Sequence, residues 1–139
     1  QKSYAMLFME NTDFSSTVFN PYIFNVVVTD SQVQDTINCL DYISQFYNGL
    51  DNALPDENNI RKLLRKSVHF TSAVYFMNRC IANDVEASVA CEKMKEFFSN
   101  IPAAYTDTTI QGTARPTMIR ERKEAIENYL ENEAMVIVA

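Results

Sequence analysis

Residues His69–Met77 read His-Phe-Thr-Ser-Ala-Val-Tyr-Phe-Met. The run has no glycine or proline and is apolar nearly all round. A helix of this kind sits at the centre of a bundle or touches another chain. Reading outward, the helix begins near Asn59 and continues to Ala82. Ile60, Leu63 or Leu64, Val68, Thr71, Val74 or Tyr75, and Cys80 or Ile81 supply its buried side. Asn83-Asp84 is a turn, after which a third helix runs from about Val85 to Ser99 and stops at Pro102. Its inner face is Val89, Ala90 or Cys91, Met94, Phe97 or Phe98, and Ile101. Residues 102–115 read as a polar connection.

Upstream, Asp30 is placed to cap a first helix over Ser31–Asn48. Val33, Ile37, Leu40, Ile43 or Ser44, and Tyr47 recur at spacings of three and four, which predicts one buried stripe. Gly49 is its stop, and Leu50–Asn58, with Pro55, reads as a loop. Downstream, Pro116 suits the first turn of a fourth helix that runs to about Glu133. Ile119, Ile126, Tyr129 and Leu130 form its apolar side. Arg120–Glu124 and Lys123–Glu127 have the spacing of helical charge pairs.

The 139 residues are 47% hydrophobic with only two glycines and four prolines, which fits one domain of long, uninterrupted elements. The predicted fold is all-α: an antiparallel four-helix bundle over residues 31–134, flanked by an extended apolar arm (1–30) and an apolar tail (135–139). Tyr22–Val28 reads as a strand or buried extended segment. The tail Met135–Ala139 is read in two ways, as its partner in a small β element at the termini or as a docking segment.

Little in the chain points to chemistry. His69 is the lone histidine and has no predicted thiol partner for nucleophilic catalysis. Cys39, Cys80 and Cys91 lack zinc spacing, and an odd count is no disulfide framework. They read as buried thiols in a reducing compartment, or as one bridge plus a free thiol in an exported chain. No Glu-x-x-His motif supports a di-iron site, and Gly49 and Gly112 cannot build a phosphate loop. The expectation is a non-enzyme without metal or cofactor. No apolar run is long enough for membrane insertion. The first residue is Gln, which reads as a processed or trimmed start and leaves organelle lumen and cytoplasm both open.

The net charge of −6 argues against a nucleic-acid or anionic-membrane surface as the main partner. Charge is uneven, however. No Lys or Arg occurs between Ser3 and Ile60. Arg61, Lys62, Arg65 and Lys66 then cluster, as do Arg115, Arg120, Arg122 and Lys123. These two sets are read as the starts of helices, where cations oppose the helix dipole, and together they define a candidate basic face.

The leading expectation is a helical accessory or structural subunit docking on a larger protein assembly, or self-assembling. Its motive is apolar material at both termini beyond what four helices need for one core. Tyr4, Phe8, Tyr22, Phe24, Val27, Met135 and Ile137 are the candidate partner contacts. In architecture such a chain resembles the PsbQ-like extrinsic proteins of photosystem II, which are four-helix bundles with extended N-terminal segments. The resemblance implies an extrinsic subunit of a photosynthetic or respiratory complex. One alternative is a nucleic-acid-associated or helical viral coat protein using the basic face. Another is a small-molecule carrier with an aromatic pocket near Phe70, Phe76 and Phe97.

Overall fold

The structure is a computed structural model, and it describes residues 6–7, 29–110 and 112–138, with side chains at 133–138 left aside. It is all-helical, with six helices and no strand among the described residues. These are α1 (Asp30–Gly49), α2 (Pro55–Leu64), α3 (Ser67–Ala82), α4 (Ala87–Ser99), α5 (Ala103–Thr106) and α6 (Pro116–Val138). The predicted strand Tyr22–Val28 lies outside the described residues. The predicted β-like tail does not: residues 135–138 continue α6 as helix.

The cap of α1 is Thr29, one residue before Asp30. Its hydroxyl accepts from the Gln32 N–H, and the Gln32 side chain accepts from the Thr29 N–H, both at 3.2 Å. This capping box satisfies two N–H groups of the first turn reciprocally, while Asp30 adds a negative charge where the helix dipole favours it.

The expected loop around Pro55 is instead a helix. Pro55 occupies its first turn, where a missing N–H costs nothing, and Asp56 and Glu57 complement the dipole. Glu57 is buried; it accepts from the Asp51 N–H at 3.3 Å and pairs with Lys95 of α4 at 3.5 Å.

The helix expected over Asn59–Ala82 is broken at Arg65–Lys66. The reason lies in its two apolar sets. At about 100° per residue, Ile60 and Phe76 would point roughly 160° apart on one unbroken helix. Both are buried, so the turn re-aims α3 and lets each set face the same core.

α3 holds the centre, packing against α1, α2, α4 and α6. Nine of its residues are buried, as its nearly all-round apolar run implies. Its buried Thr and Ser hydroxyls return to its own backbone: Thr71 donates to Ser67 O at 2.8 Å and Ser72 to Val68 O at 2.7 Å. Phe76 meets Phe97 of α4 and Tyr129 of α6, with ring centroids 5.5 and 6.2 Å apart. Met6, from outside the six helices, is fully buried in the same core.

The connection expected over 102–115 also contributes to the core. It contains α5, whose Tyr105 is wholly buried and meets Phe97 edge-on at 5.2 Å. Gly112 takes φ +62°, a left-handed conformation that permits the turn into α6.

Candidate docking face

The predicted inner stripe of α1 is only in part its buried side: Ile43 is buried and Tyr47 packs on the core, but Val33, Ile37 and Leu40 do neither. Cys39, Ile43, Phe46 and Leu50 face the core, while Val33, Ile37 and Leu40 stand 44%, 43% and 36% exposed. Both stripes have helical spacing, and adjacent residues such as Cys39 and Leu40 differ by only about 100° around the axis. Spacing alone therefore cannot choose between them. The choice follows from contacts with the rest of the fold. Phe46 and Ile43 join the α3 core, and the Tyr42 hydroxyl donates to Val85 O at 3.2 Å, fixing the roll of the helix.

At its C-terminal half the exposed stripe opens into a recess of about 380 Å³, bounded by Leu40, Ser44, Tyr47, Leu64, Arg65 and Phe70. Arg61 holds the end of α1 next to the recess-lining Tyr47. Its guanidinium donates to Tyr47 O at 3.3 Å and Leu50 O at 3.2 Å, and stacks over the Tyr47 ring at 4.1 Å. α1 has no basic residue in its own last turn, so Arg61 of α2 supplies the cation that its end carbonyls favour. The neighbouring Arg65 and then Arg61 hold the Tyr47 hydroxyl below the usual tyrosine pKa.

This geometry corrects the reading of the first basic set. Arg61 and Lys62 lie in the last turn of α2, where the dipole favours them, and not at a helix start. Lys62, Arg65 and Lys66 are exposed, and Arg65 lines the recess. The second set does not form one face. Arg115 and Arg120 are exposed, but Arg122 is 1% exposed, and Lys123 lies half-buried over the Tyr75 ring at 5.3 Å. Tyr75 in turn donates to Glu127. Tyr75 thus lies against both Lys123 and Glu127.

The candidate contacts Tyr4, Phe8, Tyr22, Phe24 and Val27 lie outside the described residues. Met135 and Ile137 fall on the α6 backbone, and their side chains are likewise outside the description.

The aromatic pocket expected near Phe76 and Phe97 is filled by the rings themselves; Tyr129 stands 5.1 Å from Phe97 and Tyr105 5.2 Å. Phe70 belongs to the α1 recess instead. A second, wider cavity of about 770 Å³ lies between α3, α4 and α6. Cys80, Val85 and Leu130 line it together with Arg79, Lys93, Asp84, Glu86, Glu127 and Glu131.

His69 pairs with Tyr105, its Nδ1 3.0 Å from the hydroxyl. Burial, then Lys66 and Arg122, lower its pKa below the ordinary histidine value. The cysteines are free thiols; burial raises Cys39 and Cys80 to about 11, which makes them poor nucleophiles. Among the described residues no three His, Cys, Asp or Glu side chains converge as a metal site, and no helix is long and apolar enough to cross a membrane. No protein-family model, curated protein or solved structure matches this chain.

Proposed function

We propose that this chain is a non-enzymatic helical subunit of a larger protein assembly, joined to it through the exposed face of α1. An extrinsic subunit of a photosynthetic or respiratory complex is one assembly of this kind. The architecture we assign it is an antiparallel four-helix bundle of α1, α3, α4 and α6, with α2 and α5 as short inserts. The pairings support that order. Cys39 lies by Asn78 while Leu40 and Ser44 share a recess with Phe70, so α1 and α3 run in opposite directions.

The observation that carries the functional reading is the exposure of Val33, Ile37 and Leu40 in a row. Single exposed aliphatic residues are ordinary, but an aligned set beside an apolar recess is the mark of a contact surface. Covering each such side chain contributes on the order of 1 kcal/mol at about 25 cal/mol per Å².

The test is a Val33→Ser, Ile37→Ser, Leu40→Ser chain compared with wild type for assembly into its native complex. Helical circular dichroism stays unchanged while incorporation is lost. Full incorporation of the variant would overturn the reading.

A further inference from the structure

We infer that the connection between α4 and α6 is an acid-released strap, and that His69 is the proton sensor that opens it. Its residues are separate from the exposed face of α1.

The strap is held at few points. Between Pro102 and Arg115, Tyr105 and Thr108 are the buried side chains among the described residues, and Ile110 stands 70% exposed. Its threonine hydroxyls turn back on the strap itself: Thr106 donates to Pro102 O, Thr108 to Tyr105 O and Thr109 to Thr106 O. Two polar attachments among the described residues tie it to the long helices. The Tyr105 hydroxyl, near Ser72, stands 3.0 Å from His69 Nδ1, with its ring edge-on to Phe97 and Phe98. Arg122 of α6 donates to Thr108 O and Thr113 O. A segment with so little buried side chain opens at a lower free energy than the core beneath it.

Both attachments meet at one cationic spot. Arg122 acts on the charge of His69 and of Tyr105, and Lys66, at the turn before α3, acts on His69 as well. α4 contributes Phe98, whose ring stands edge-on to the imidazole at 6.4 Å. Among the described residues no carboxylate acts on His69. A proton on this 8% exposed ring thus adds charge within reach of buried Arg122, whose Nε lacks a partner among the described residues. The Tyr105 hydroxyl accepts from a protonated ring but brings no negative charge to offset it. Lifting the strap gives water to the imidazole and the guanidinium at once. α3, α4 and α6 stay packed through Phe76, Phe97 and Tyr129. The open ring takes its proton at the ordinary value of about 6.5, above the closed ring, so acid favours the open form.

Hydrogen exchange of the full chain at pH 7.5 and 5.5, corrected for the intrinsic pH dependence of exchange, tests the strap. The reporters are the Thr108 amide and the Arg122 Nε–H, both of which the closed strap buries. Opening of the wild-type strap rises on going to pH 5.5 by up to about tenfold, the limit set by an ordinary imidazole one unit above that pH. α1 and α3 amides keep their protection. His69→Gln shows the same strap protection at both pH values. His69 is the one histidine, so its ring titration is read directly by NMR and falls below the ordinary value.

Equal corrected protection of both reporters at the two pH values in wild type overturns the strap. So does a loss that persists in His69→Gln, or one shared equally by α1 and α3, which is general acid unfolding. If His69→Gln does not fold, the wild-type ring decides, and titration at or above the ordinary histidine value overturns His69 as the sensor.

Discussion

Arg122 is a buried cation held by main-chain carbonyls. It is 1% exposed, and among the described residues no carboxylate is recorded against it. Its two terminal nitrogens donate to Thr108 O at 2.9 Å and Thr113 O at 2.6 Å, tying the segment before α6 to that helix, and its Nε finds no partner among the described residues. Hydrogen bonds from a charged donor contribute about 1.5–3 kcal/mol each, and loss of the guanidinium strands two carbonyls. Arg122→Ala therefore lowers unfolding stability by roughly 3 kcal/mol, read from urea denaturation. Arg122→Lys recovers only part of it, since one ammonium cannot reproduce the fork. The sequence placed Arg122 on a basic face because it clusters with Arg115, Arg120 and Lys123 at the start of a helix. Its carbonyl partners are 14 and 9 residues away in an irregular segment, where no periodicity could reveal them.

His69 sets a pH dependence at the same scale. The groups packed around it are Tyr105 from α5, Phe98 from α4, and the cations Lys66 and Arg122. No carboxylate faces it among these contacts, so protonation adds charge to an already positive, buried site. Its folded pKa lies below the unfolded value of about 6.5. The unfolded chain then binds the proton first. The stability contributed by neutral His69 is fully present above about pH 6.5 and is lost as pH falls toward the depressed folded value. Denaturation at pH 7.5 and 5.5 measures the loss. His69→Gln flattens that difference, and an equal slope in the variant would show that other groups cause it.

At the scale of elements, helix type was legible and helix ends were not. The acid-rich first turn after Pro55 was a start signal, yet proline among Asp and Asn reads equally as a loop, and only burial of Ile60 and Leu64 decides it. The break at Arg65 had no glycine or proline to announce it, because it answers a long-range demand on direction. The Thr29–Gln32 box was legible in principle, as Thr-x-x-Gln before an apolar run. Thr29→Ala removes one of its two bonds and costs about 1 kcal/mol. Hydrogen exchange locates that loss in the first turn of α1, leaving α3 amides as protected as before. A uniform loss would mean that the cap holds more than its own helix.

For the whole molecule, the central position of α3 decides which changes propagate. Phe76 touches both α4 and α6, and α1 and α2 pack on the same helix, so no layer can open without exposing α3. That centrality was legible from His69–Met77, since a helix apolar on all sides has to be covered on all sides. What covers it was only partly legible, because Val33, Ile37 and Leu40 of the α1 stripe that spacing favoured are left outside. The two stripes therefore predict opposite behaviour. Phe76→Ala leaves a ring-sized void and costs roughly 3–5 kcal/mol, with exchange protection falling together in α1, α4 and α6. The Val33, Ile37 and Leu40 serine substitutions remove comparable apolar surface in total. They shift the stability of the isolated chain by only about 0.5 kcal/mol per site, as surface changes do. Equal destabilisation by the two sets would place the α1 stripe in the core and remove the basis for a docking face. A wide gap between them, with association lost only in the serine variant, separates the residues that hold this fold together from those that join it to something else.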